Sequence, residues 1–63
     1  MKPKPNYTVC EIDKKGKVLH KYYDCVELDN ARYLKKKKIH HLTESGLMEG
    51  TVVILDSNNK IVN

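Results

Sequence analysis

Two short runs of mixed apolar and polar residues near the start of the chain flank a polar segment. Residues 7–12 and 18–23 contain the β-branched and aromatic side chains that strands favour. Between them, Asp13 suits the opening of a type I turn, and Gly16 can take the positive φ of a three-residue hairpin loop. The pattern therefore predicts an antiparallel β-hairpin.

An apolar stripe with the spacing of an α-helix follows the hairpin. At 100° per residue it covers an arc of about 140°. Its members are Leu28, Ala31, Leu34, Ile39 and Leu42. Asp24 and Glu27 have the spacing of a capping box, and Gly46 is placed to end the helix in a left-handed conformation. We therefore expect a helix over residues 25–45.

The C-terminal part repeats the pattern of the first hairpin. Residues 51–55 form an apolar run that predicts a strand. Residues 56–60 then form a polar turn in which Asn59 can adopt a positive φ. Residues 61–62 are apolar and predict a short last strand, so a second hairpin follows the helix.

The two predicted hairpins also resemble each other in sequence. Residues 9–19 align without gaps on residues 52–62, with Asp at the start of both turns and Lys after both positive-φ positions. The predicted fold class is α+β: a single ββαββ domain over residues 7–63, with one helix packed on one face of an antiparallel sheet of up to four strands. Residues 1–6, with two lysines and two prolines, are predicted to form an extended basic arm.

Hairpin geometry assigns the strand side chains to two faces of the sheet, because successive side chains alternate. If Asp13 pairs with Lys17, the face that carries Ile12 has the more regular apolar set, and we expect the helix to cover it. The other face, although interrupted by Glu11 and Lys21, would then expose an apolar surface large enough to indicate an interface, most often a homodimer. The predicted interface residues are Tyr7, Val9, Leu19, Tyr23, Val52, Ile54 and Val62.

The length of the chain limits the function classes. At 63 residues and 7.3 kDa it holds one domain, which excludes a dinucleotide fold or a two-domain enzyme. For so small a chain, apolar burial and ordering entropy nearly cancel, so a second protomer would add needed stability. No apolar run approaches the roughly 20 residues of a membrane span, and no apolar region follows the basic start. We expect an intracellular, cytoplasmic protein that does not bind membranes.

The net charge of +4 is concentrated in one segment of the predicted helix. Residues 32–41 contain one arginine, four lysines and no acidic residue, which gives +5. No lysine of this run has an Asp or Glu three or four residues away, so the usual intrahelical pairing is absent. The run predicts a contact with nucleic acid phosphates. The candidate residues are Arg32, Lys35, Lys36, Lys37, Lys38, His40 and His41.

Other interpretations of the basic run stay open. It can be a solvated face whose charges suit the C-terminal half of the helix dipole, or a contact for an acidic protein or a membrane surface. The chain has neither Trp nor Phe, which argues against membrane insertion. By angle, Lys35 and Lys38 fall inside the apolar stripe, so we expect their stems to lie along its edge.

The four tyrosines can stack on unpaired bases or serve as half-buried packing residues.

Candidate catalytic groups are few. In the predicted register Cys10 lies opposite His20, which is the only pairing of a nucleophile with a base. Both side chains would lie on the face that the helix is predicted to cover. The adjacent His40 and His41 diverge by about 100° on a helix, and no histidine has zinc-ligand spacing to a cysteine. We expect no enzyme activity, no cofactor and no metal. Cys10 and Cys25 should be about 16 Å apart along the hairpin, too far for a disulfide, so both thiols should be free.

The sequence therefore favours a small non-enzymatic interaction module. The leading hypothesis is a homodimer whose basic helix contacts nucleic acid phosphates. The alternative is a protein-binding inhibitor or adaptor, of the kind that small phages encode, using the apolar sheet face or an edge strand. The alternative rests on analogy at the level of the fold.

Overall fold

The first hairpin, a helix and a second hairpin succeed one another in the computed structural model, which describes residues 5–62. The elements are β1 (Tyr7–Ile12), β2 (Val18–Cys25), α1 (Leu28–Ser45), β3 (Thr51–Asp56) and β4 (Ile61–Val62). The four strands form one antiparallel sheet in the order β2-β1-β3-β4, and α1 packs on it. The predicted α+β class and ββαββ order are confirmed. Most of the predicted arm, residues 1–4, lies outside the described residues.

Both hairpin turns form as the sequence predicts. Gly16 has φ 83° and Asn59 has φ 61°. The Asp13 carboxylate accepts hydrogen bonds from two main-chain N–H groups of its turn, at 2.8 and 2.9 Å. Asp56 accepts the equivalent pair in the second turn, also at 2.8 and 2.9 Å. The sequence similarity of the hairpins therefore has a structural counterpart in two turns of the same construction.

The helix ends as predicted but begins later. Gly46 has φ 70° and closes the C-terminus, where its N–H donates to the carbonyl of Thr43. At the other end Glu27 is the cap residue and makes no side-chain capping bond. The predicted capping box at Asp24 is wrong, because Asp24 belongs to β2 and its carboxylate accepts a bond from the Thr8 hydroxyl at 3.1 Å.

Two irregularities in the pairing of β1 with β2 change the register. Next to the turn, Ile12 pairs with Val18 as predicted. Register shifts then occur between Glu11 and Ile12 and between Val9 and Cys10, and each adds a residue to the β2 side. By the far end of the strands the register has moved by two residues from the predicted one. β-Bulges of this kind reverse the side-chain alternation locally.

The helix covers the face that the sequence analysis left open, so the predicted interface is wrong. Val9 and Ile54 are fully buried and Val52 is 2% exposed, and all three belong to one core cluster with Ala31 and Leu42 of α1. Of the seven predicted interface residues, five lie in or against this core and two are about 38% exposed. The five are Tyr7, Val9, Val52, Ile54 and Val62, and the two are Leu19 and Tyr23.

The two charges that argued against this face explain the error. Glu11 points to the helix side but is fully buried, because its carboxylate is the acceptor for three donors. Lys21 lies on the opposite face, where it pairs with Cys10 and lines a shallow groove with Val18 and Leu55. Neither charge therefore interrupts the surface that α1 covers.

The face away from the helix carries a smaller apolar cluster. Cys10, Ile12 and Val53 are 0–8% exposed, and Val18 and Leu55 pack against them. Little of this cluster is open to solvent, so it does not replace the broad surface expected for a dimer. Self-association stays a prediction, but most of the surface that the sequence analysis assigned to it lies beneath α1.

The two thiols are free, as predicted. Cys10 belongs to the cluster away from the helix, and Cys25 belongs to the core beneath it. Burial raises the pKa of both thiols above the ordinary value.

Candidate nucleic-acid interface

The seven basic residues of α1 divide between its outer surface and its flanks. Lys36 and Lys37 are exposed, whereas Lys35 and Lys38 are half-buried. The prediction that the stems of Lys35 and Lys38 lie along the edge of the apolar stripe agrees with this partial burial. The stripe itself forms as expected, with Ala31 and Leu42 buried and its other members packed against the core.

Two grooves run along the helix on either side of Lys36. The larger, of about 720 Å³, lies between α1 and β2. It is lined by Tyr23, Tyr33, Lys36, Lys37, Lys38, His40 and His41. The smaller, of about 320 Å³, is lined by Arg32, Lys35, Lys36 and Ile39. All seven basic candidates therefore meet at two adjoining grooves, and no carboxylate lines either one among residues 5–62.

Two lysines of the larger groove lie over tyrosine rings. The ammonium of Lys37 is 4.9 Å from the centroid of Tyr33, and that of Lys38 is 4.4 Å from the centroid of Tyr22. A hydrogen bond with the Tyr33 side chain raises the pKa of Lys37, which keeps this ammonium charged. The ammonium groups of Lys37 and Lys38 therefore lie against aromatic rings, and both lysines line the larger groove.

The histidines differ in their surroundings. His40 lies 3.0 Å from the Glu44 carboxylate, four residues further along the helix, and both side chains are mostly exposed. His20 lies on β2, where it stacks on Tyr22 at 6.1 Å between ring centroids and lies 3.7 Å from Glu49. Glu44 is thus the acidic neighbour of the groove, and it faces a histidine rather than a lysine.

A buried carboxylate network supports the β2 side of the groove. Glu11 accepts a hydrogen bond from the Tyr22 hydroxyl at 2.5 Å, from the N–H of Glu49 at 2.6 Å and from the N–H of Gly50. The bond from Tyr22 is the main cause that lowers the pKa of Glu11. Burial, with the carboxylate as a second cause, raises the pKa of Tyr22 to about 12. This network fixes the ring over which Lys38 lies.

Gly50 donates one of the three hydrogen bonds to Glu11, and its main chain lies close to that of β1. A Cβ at this position would overlap the main-chain carbonyl of Ile12 and crowd the Leu19 side chain. Only glycine therefore allows the loop between α1 and β3 to reach the Glu11 carboxylate.

The candidate catalytic pair is not assembled. Cys10 pairs with Lys21 and faces away from the helix, whereas His20 stacks on Tyr22, which packs against the helix-side core. The register shift separates the two groups that the predicted hairpin placed together. Among residues 5–62, no group of three or more histidine, cysteine and acidic side chains is arranged to hold a metal ion.

The sequence analysis identified the basic residues of the groove but not its aromatic wall. Tyr33 lies four residues before Lys37, a spacing that places the two side chains together on a helix, and this signal was available. Tyr23 had no such signal, because its place beside α1 depends on which face of the sheet the helix covers.

No protein-family model, curated protein or solved structure matches this chain. No helix within the described residues is long and apolar enough to cross a membrane.

Proposed function

We propose that the chain binds nucleic acid through the basic face of α1, in a contact made mainly to phosphates. The observation that supports this proposal is the convergence of seven basic side chains on two adjoining grooves that no carboxylate of residues 5–62 lines. Lysine and arginine that neutralise phosphates release condensed counterions, which drives binding of this kind without base contacts.

The test is a titration of a labelled random-sequence DNA duplex, followed by fluorescence anisotropy from 20 to 200 mM salt. The affinity should fall with salt at a log–log slope of about −3 to −5, at about 0.9 per phosphate contacted. No binding of the duplex or of its separated strands at the lowest salt would overturn the proposal, and a slope near zero would indicate a contact other than phosphate.

A matched pair of variants separates the helix from the net charge of the chain. Lys36→Glu with Lys37→Glu should abolish duplex binding. Lys14→Glu with Lys15→Glu makes the same change of charge in the exposed turn between β1 and β2 and should retain most of the affinity. Equal losses from the two pairs would mean that total charge, not the grooves of α1, governs binding.

The protein-binding alternative has less support. The sheet face that it would use is beneath the helix, and the central residues of the opposite face, Cys10, Ile12 and Val53, are buried. Use of an edge strand stays a prediction. A contact with an acidic protein would use the same lysines, and it is distinguished by binding to polyglutamate with no affinity for the DNA duplex.

A further inference from the structure

Two of the four tyrosines lie outside the hydrophobic clusters and line the larger groove. Tyr7 and Tyr22 are half-buried and pack against the core beneath the helix. Tyr23 is 38% exposed and Tyr33 is 56% exposed, and both line the larger groove. One ring comes from β2 and the other from α1, so the wall exists only in the folded protein.

The same groove places cations beside these rings. Lys37 lies over the Tyr33 ring and Lys36 lines the groove next to it. An aromatic surface and fixed ammonium groups within one groove are complementary to the two parts of a nucleotide, the base and the phosphate. Its volume of about 720 Å³ is within the range of roughly 300–1,000 Å³ that small-molecule sites occupy.

We propose that this groove selects single-stranded nucleic acid, with an unpaired base against Tyr23 and Tyr33 and a neighbouring phosphate on Lys36 and Lys37. The inference rests on the proposed function and adds a preference to it. In a duplex the faces of the bases are covered by their neighbours, so the rings contribute only when a base is unstacked. Charge alone would favour the duplex, which has the higher density of phosphates.

The test compares one mixed-sequence 12-nucleotide DNA strand with the same strand annealed to its complement. At equal salt the single strand should bind about fivefold more tightly or better. Tyr33→Leu should lower the single-strand affinity about fivefold, and it should lower the duplex affinity less, because for the duplex only the support of Lys37 by the ring is lost. Tyr33→Phe, which keeps the ring, should retain the preference.

Tyrosine emission gives an independent readout, because the chain has four tyrosines and no tryptophan. A stacked base should quench the emission on single-strand binding, and part of this quenching should disappear in Tyr33→Phe. Tyr23→Leu should act like Tyr33→Leu. If β2 does not tolerate the change at position 23, as circular dichroism would reveal, position 33 on the exposed helix surface carries the test.

The outcomes separate the two proposals. Duplex binding equal to or tighter than single-strand binding, with Tyr33→Leu unchanged, would overturn the single-strand preference and leave the phosphate contact standing. Failure of both nucleic acids to bind at low salt would overturn the proposed function and this inference together.

Discussion

Replacing Glu11 by glutamine tests whether the buried carboxylate network holds the loop between α1 and β3 in place. Glutamine keeps the size of the side chain and one oxygen, which can accept from the N–H groups of Glu49 and Gly50. Its amide nitrogen replaces the oxygen that accepts from the Tyr22 hydroxyl. The substitution therefore converts two bonds to a charged acceptor into neutral ones and removes the third, since the amide nitrogen can only donate to the Tyr22 oxygen.

The size of the effect follows from that conversion. Hydrogen bonds to charged groups contribute about 1.5–3 kcal/mol and neutral ones about 0.5–1.5, so each bond loses about 1 kcal/mol. Three bonds give a loss of about 3 kcal/mol in the free energy of unfolding at pH 7. For a domain of this size, that corresponds to a fall in Tm of about 12–24 °C. Urea and thermal unfolding followed by circular dichroism at 222 nm measure both quantities.

The pH dependence of the free energy of unfolding tests whether the ionised Glu11 stabilises the folded state. Because the folded protein lowers the pKa of Glu11 from the ordinary value of 4.5, ionisation stabilises the folded state. This contribution is complete above pH 4.5 and is lost as the pH falls through the lower, folded value. The difference between the unmodified protein and Glu11→Gln should therefore be largest at neutral pH and shrink below pH 4.5.

A control at an exposed acid isolates the network. The Glu44 side chain is 69% exposed, and Glu44→Gln should change the free energy of unfolding by no more than about 0.5 kcal/mol. The reasoning is refuted if Glu11→Gln is as stable as Glu44→Gln at pH 7, or if the deficit of Glu11→Gln is the same at pH 3 as at pH 7.

Four further outcomes follow from the same structure. Alkaline titration at 295 nm should find one tyrosine titrating near pH 12, absent in Tyr22→Phe; four tyrosines titrating together would contradict the buried bond. Ile54→Lys should unfold the protein rather than dissociate it, because the side chain is fully buried; a folded variant by circular dichroism would place it elsewhere. Gly50→Ala should cost about 2 kcal/mol or more in urea unfolding, since its Cβ meets a main-chain carbonyl of β1; a neutral change would mean that the loop moves freely. Cys10 and Cys25 should react with Ellman's reagent only on unfolding, because both thiols are buried with raised pKa values; rapid reaction in native buffer would contradict this.

The parts of the fold that the sequence predicts correctly are those governed by local chemistry. Gly16, Asn59 and Gly46 all occupy positive-φ positions, and such positions depend on a residue and its immediate neighbours. The apolar stripe of α1 is likewise local, because helical spacing alone defines it. The predicted capping box is wrong because β2 extends to Cys25. The length of β2 depends on its pairing with β1, which is not a local property of the sequence.

The choice of sheet face depends on contacts between distant residues, and the sequence could not supply them. The turn fixes the register only beside it, and no residue type marks the two bulges further along β2. Glu11 looked like a solvent-facing charge because two of its three donors lie 38 and 39 residues away in the chain. The basic run was visible as composition, but its aromatic wall required the helix to cover the face of the sheet that carries Tyr23.

The irregular register of β2 also bears on solubility. β2 and β4 are the outer strands of the sheet, and outer strands offer unpaired main-chain groups that can recruit another chain into a fibril. β4 has only two residues, and the bulges twist and interrupt β2, so neither border of the sheet offers a long flat template. A straight eight-residue β2 would have been such a template. The two extra residues of β2 thus form the kind of irregularity by which outer strands limit pairing with other chains.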